Sequence, residues 1–434
     1  MCFPLLCCAG AALCCAGQAC CGCLCAPCKK MGVQSKNFAK IGYVVFQFFW
    51  ILIAIALLFS AKKLVEILPS FLQCPTQSGD DSACMGPSAI IRMSFVLMCF
   101  HVVVLCVIIG RNTAASVFHD GCWGFKFIAV LIFFIITMWI PNSFFEGYMI
   151  FSRVVSILFL LIQALLMLVV AYKINETLIG NYESENTNGL GCSGIIVIIL
   201  TGLITIGNIV WAVYQYIWYH DCGYNNAIIT VTLVASISFY VLVFFRTRED
   251  ASILTSSIVV AYLLYLQWSA LASNPNEECN PFNKSAVNTT MQIIVGLFFT
   301  FFSLLIISAS TKKTDSTNLT TKMNQPLMED EEDHHAHELE PIVKKDGTRL
   351  DQDDLHAFPI STQTIFFQAL LVLASIYYAM LLTNWGNPTL FDDTVDFYEA
   401  NSTSFWIKLV TQWMSMGIYL FSMIAPIIFK DREF

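Results

Sequence analysis

The chain has 434 residues, 57% of them hydrophobic and only 12% charged. A soluble protein carries about 25% charged residues, so a globule of this composition would lack the polar surface to cover itself. Dense Phe, Ile, Leu and Val exclude a disordered chain. A net charge of −8, with no basic patch interleaved with aromatics, leaves no electrostatic footing for nucleic acid.

Ten of the eighteen cysteines fall within the first 28 residues. Cys20, Cys21, Cys23, Cys25 and Cys28 stand just before the first long apolar run, where cytosolic thiols are candidates for palmitoylation. Unmodified apolar packing and metal binding are the alternatives, and the separated second pair of a zinc knuckle is missing. No basic region precedes this stretch, so a cleaved signal peptide is not expected.

Apolar runs long enough to cross a bilayer as helices follow in order. They are Ile41–Ser60, Ile90–Gly110, Gly121–Ile140, Val154–Tyr172, Ile195–Tyr219, Ala227–Phe245, Ala251–Ala272, Met291–Ser310, Thr362–Thr383 and Phe405–Phe429. Three contain a cation, namely Arg92, Lys126 and Lys408. Each lies within about two turns of its run's end, where a long side chain is expected to snorkel to the headgroups.

Ten crossings with both termini in the cytosol place seventeen of the 23 Lys and Arg on the cytosolic side, which is the orientation that basic residues favour. The sequons at Asn283, Asn288 and Asn401 then face away from the cytosol, as glycosylation requires. So do Cys74, Cys84, Cys222 and Cys279. A Cys74–Cys84 disulfide is expected across the short polar turn between them, and Cys222 and Cys279 would pair if their loops meet. The predicted segments are a Cys-rich cytosolic stretch at 1–40, eight helices over 41–311, an acidic disordered cytosolic loop at 312–361, and two further helices over 362–434.

Enzyme signals are weak. His334, His335 and His337 lie in the acidic loop, where nothing fixes the geometry of a metal site. His119-Asp120 and His220-Asp221 lack a nucleophile; they fit helix ends better. No phosphate loop or zinc-protease pattern occurs, so neither an enzyme nor a cofactor is expected. Polar groups inside the apolar runs are the better functional signal, because they face a bundle interior or a wet groove. Arg92, Glu146 and Arg153 lead this list. Gln267 with Trp268, and Asn384 with Trp385, follow, although Trp near a helix end also belongs to the interfacial belt.

With these segments placed, the chain resembles the serine incorporator (SERINC) family over nearly its whole length. The likeness rests on Arg92-Met-Ser-Phe95, Gly110-Arg-Asn, Phe118-His-Asp-Gly-Cys-Trp-Gly-Phe-Lys126, Trp139-Ile-Pro141 and Asn175-Glu176. It continues through Trp268-Ser-Ala270, Cys279-Asn-Pro281, Leu382-Thr-Asn-Trp385, Trp406-Ile-Lys408, Ala425-Pro426 and Asp431-Arg-Glu-Phe434. Two positions depart from it. The chain opens Met-Cys-Phe-Pro where the family opens Met-Gly, and Glu146 stands where a small uncharged residue is expected.

The resemblance implies an all-α, polytopic membrane protein of about ten helices, in two helical subdomains joined by a long tilted helix. It also implies passive, ATP-independent binding of phospholipid and its movement between leaflets. The alternatives are a serine carrier supporting phosphatidylserine and sphingolipid synthesis, and a membrane scaffold regulated through the acidic loop. Membrane phospholipids are the first expected partners. Serine and lipid-synthesis enzymes follow, and self-association is left open. The expected location is a plasma membrane or endomembrane.

Overall fold

A computed structural model describes residues 38–65, 82–111, 113–184, 192–245, 252–282, 286–309, 360–385 and 402–428. The palmitoylation candidates, Cys74, Asn283, Asn401 and the acidic loop with its histidines lie outside the described residues, as does the side chain of Cys84. The described residues form eleven helices and no strand. They are α1 (Phe38–Val65), α2 (Ser82–Ile109), α3 (Thr113–Asp120), α4 (Trp123–Thr137), α5 (Asn142–Ser184), α6 (Cys192–Tyr219), α7 (Gly223–Phe244), α8 (Ile253–Leu271), α9 (Ala286–Ala309), α10 (Thr362–Leu382) and α11 (Ser402–Ile428). All ten expected segments are helical. Eight helices are long and apolar enough to cross a membrane, so the chain is a multi-pass integral membrane protein.

The two exceptions have local causes. The run expected at Gly121–Ile140 is helical only over the 15 residues of α4, about 22 Å at 1.5 Å per residue. Met138, Trp139 and Ile140 donate to carbonyls three residues back, and Pro141 then cannot continue the ladder. Helix α11 has 27 residues but buries Ser404, Lys408, Thr411, Gln412 and Ser415 while exposing Trp406, Val410, Trp413 and Phe421. Its polar stripe faces the protein and its apolar stripe faces out, as a lipid surround favours.

Two cores organise the helices. The first joins α1, α2, α4, α10 and the early turns of α5, around Tyr43, Ile91, Phe145, Phe159 and Tyr378. The second joins α6, α7, α8, α11 and the later turns of α5, around Ala171, Phe239, Tyr262, Leu263 and Tyr419. Helix α5 serves both. It is 43 residues long, about 64 Å, roughly twice the ~30 Å hydrocarbon thickness of a bilayer. Helix α9 lies along the seam, where Gln163 Nε2 of α5 donates to Thr300 Oγ1 at 3.1 Å. Gly296 lets the helices approach closely there: a Cβ would meet Tyr265 Oη of α8 at 2.6 Å and Leu381 Cδ1 of α10 at 2.7 Å, and those side chains would have to shift.

The three cations do not snorkel. Arg92, Lys126 and Lys408 are all buried, because each finds its acceptors inside the protein. Lys126 Nζ donates to His119 O at 2.9 Å and lies 4.4 Å from the Trp123 ring and 4.7 Å from the Tyr43 ring. It thereby holds α4 to the end of α3. The His119 and Asp120 side chains bond each other at 2.8 Å.

Candidate functional site

Helix α6 stands at the edge of the second core with little of its outward surface covered. Several of its contacts with α8 are polar. Thr205 Oγ1 and Ser257 Oγ are 2.8 Å apart, and Asn208 Nδ2 donates to Ser257 O at 2.8 Å. Farther along, Gln215 Nε2 donates to Leu264 O at 3.0 Å, while its Oε1 accepts from Gln267 Nε2 at 2.7 Å. Gln412 of α11 extends the chain, donating to Gln267 Oε1 at 3.3 Å and to Thr232 Oγ1 of α7 at 2.8 Å. Two groups of hydroxyls and amides thus bridge helices of the second bundle without an ionised partner. Hydrogen-bonded in this way, such groups avoid the cost of desolvation.

A groove opens on each side of α6. One, of about 600 Å³, lies between α6 and α9 and is lined by Asn208, Trp211, Trp218, Trp268, Asn288 and Phe299. The other, of about 720 Å³, lies between α6 and α7 and includes Thr205, Asn208, Tyr216, His220, Ser236 and Tyr240. Both volumes fall in the range of small-molecule sites. Asn208 borders both. The lining is apolar and aromatic with a few amides and hydroxyls, which suits an amphiphile better than a free ion. At one end Cys222 and Cys279 form a disulfide, joining the α6–α7 turn to the α8–α9 loop. Asn225 Nδ2 donates to Cys279 O at 2.7 Å beside it.

The seven lipid-contact candidates read from the sequence separate into two places. Trp268 lines the groove between α6 and α9, and Gln267 is buried beside it. Gln267 belongs to the buried amide run, and Trp268 packs edge-on against Trp211 at 5.4 Å. Trp268 is buried and so is not part of an interfacial belt. The other five lie with the first core. Arg92 lies ten residues into its helix, since α2 starts at Ser82 and not at the head of the apolar run. Its guanidinium donates to Thr137 O at 3.3 Å, Ile140 O at 3.4 Å and Asn142 Oδ1 at 2.7 Å, and it lies 4.3 Å above Phe145. The fork therefore caps the end of α4 and fixes the corner into α5. Glu146 is half-buried one turn farther on. Arg153 reaches Trp385 O at 3.5 Å, and Asn384 and Trp385 form a left-handed turn after α10 with φ of 48° and 59°. Asn288, a sequon position, sits in the first turns of α9 on the groove wall.

The α6 polar residues were missed from the sequence. Thr201, Thr205, Asn208 and Gln215 fall at spacings of four, three and seven, a single helical stripe, and that periodicity was the available signal.

The serine incorporator family model matches residues 13–432. A membrane protein of Schizosaccharomyces pombe is 28% identical over 92% of this chain and 91% of its own length. Serine incorporator 2 of Homo sapiens is 23% identical over 95% and 94%, and the mouse protein of the same name is 25% identical over 95% and 96%. A match running from the Cys-rich start through both bundles to the last helix leaves no part of the fold outside it, and the chain belongs to the serine incorporator family.

Proposed function

We propose that the chain is a passive lipid-handling protein that binds phospholipid in the grooves beside α6 and lets headgroups pass between leaflets. The observation that carries this reading is Asn208, a polar residue shared by two apolar grooves of about 600 and 720 Å³. Acyl chains surround any membrane helix, so an apolar groove open to them has its ligand at hand. A headgroup needs polar partners part-way across, and Thr205, Asn208, Ser236 and Tyr240 offer them without nucleotide or metal. The lumen-side mouth would be that of the disulfide, by the distribution of Lys and Arg, with both termini in the cytosol.

Reconstitution into liposomes carrying a fluorescent phospholipid tests the reading. Leaflet exchange well above the protein-free rate, independent of ATP, is the expected result. Exchange at the protein-free rate overturns it. Protease treatment of sealed microsomes tests the orientation: cleavage within 312–359 from the cytosolic face is expected, and cleavage within 273–290 instead reverses it.

A further inference from the structure

Lys408 is buried and its three N–H donors have three acceptors. They are Ser273 Oγ at 2.8 Å, Gln292 Oε1 at 3.1 Å and Ser269 O at 3.3 Å. The acceptors come from α8, the loop after it and α9, and every one is neutral. Among the described residues no carboxylate pairs with this ammonium.

The backbone explains why a cation sits here. Helix α8 ends at Leu271, and its last carbonyls have no helical donors. Ser273 N–H donates to Ala270 O at 2.8 Å, so the Ser269 carbonyl takes the Ser273 hydroxyl at 2.8 Å and the Lys408 ammonium instead. A helix C-terminus also carries partial negative charge. Inside membranes, such helix ends and unwound carbonyls are where free cations are coordinated. The oxygens are held in place independently of the lysine. Ser269 Oγ donates to Gln292 Oε1 at 3.0 Å, and Ser404 Oγ donates to Ser273 Oγ at 3.2 Å.

We propose that Ser269, Ser273 and Gln292, with Ser404 holding Ser273, form a monovalent-cation site which this chain fills with the ammonium of Lys408. The tethered cation pins α11 to α8 and α9 at the disulfide end. Assembly of that end is therefore independent of the salt present. Removing the ammonium opens the site to a free cation with N–H donors or a small radius.

Full-length Lys408→Ala in detergent tests this, with thermal midpoints read in choline, sodium, potassium and propylammonium chloride at one ionic strength. Choline has no N–H and is bulky, so it serves as the blank. Wild-type protein is expected to melt alike in all four salts. The variant is expected to lose roughly 5–10 °C in choline and to regain at least half of that in propylammonium; a gain in sodium or potassium supports the site equally. Equal midpoints in all four salts overturn the proposal. Where Lys408→Ala does not survive extraction, extraction in propylammonium is the readout. Failure to recover folded protein there also overturns it.

Discussion

The two bundles bury polar groups in different ways. In the first, the ionised side chains Arg92 and Lys126 close on backbone carbonyls at turns between helices. Gln47 and Ser94 bond Ser375 of α10 at 2.8 and 2.7 Å, and the aromatic packing around Phe46 and Trp123 is continuous. In the second, Lys408 closes on the Ser269 carbonyl at the end of α8 in the same way, but around α6 amides and hydroxyls bond one another from helix to helix, and α6 is left with a groove on either flank. A charge fixed to a carbonyl is costly to move, because departure strands it in a low-dielectric interior. A neutral hydrogen bond is worth only ~1 kcal/mol net and can be exchanged for a headgroup. On the proposed function, the first bundle would serve as the scaffold and the flanks of α6 as the part that admits a ligand.

The largest effect is expected where a buried fork is removed. Arg92→Ala would remove the guanidinium from Ile140 O and Asn142 Oδ1 and leave Thr137 O with only the Ile140 N–H, costing about 3 kcal/mol and lowering the thermal midpoint. Leaflet exchange per folded molecule should be unchanged. Arg92→Lys should recover only part of the stability, because an ammonium cannot reproduce the planar fork. Normal stability with slowed exchange would make Arg92 a lipid contact, and the contrast between the bundles would fail at its strongest point.

The seam comes next. Gly296→Ala places a methyl against Tyr265 Oη and Leu381 Cδ1, and overpacking of this kind costs about 2 kcal/mol. Adding Tyr265→Phe removes the nearer atom and should return part of the loss in a thermal melt. A neutral Gly296→Ala would show that the ends of Tyr265 and Leu381 move aside at no cost.

Much of this was legible in the sequence, for physical reasons. Apolar runs of bilayer length permit few other structures, so the ten helical segments and the surrounding membrane were readable from hydropathy alone. Cys222 and Cys279 were readable as a conditional pair, since both fall on one side of the membrane. The partners of Arg92 were not. They are carbonyls 45 and 48 residues away, exposed only because α4 tightens before Pro141. Lys408 likewise looks like an anchoring residue until the end of α8 is known to point at it. Charge position along a helix is visible in a sequence, but an acceptor created by the end of another helix is not.

The smallest expected effect is the most direct test of the second bundle. Asn208→Leu keeps the branched side-chain shape but removes the bond to Ser257 O and the polar group common to both grooves. Stability should fall by only ~1 kcal/mol. Exchange in liposomes should fall roughly tenfold, equivalent to about 1.4 kcal/mol on the barrier, because a passing headgroup loses the polar partner that both grooves share. Thr201→Val is the control. It lies on the same stripe of α6, yet its hydroxyl bonds only Val197 O of its own helix, so exchange should stay at the wild-type rate. If both variants slow exchange alike, loosening of α6 is responsible. If neither does, the path lies elsewhere in the molecule, and the grooves beside α6 hold lipid without passing it.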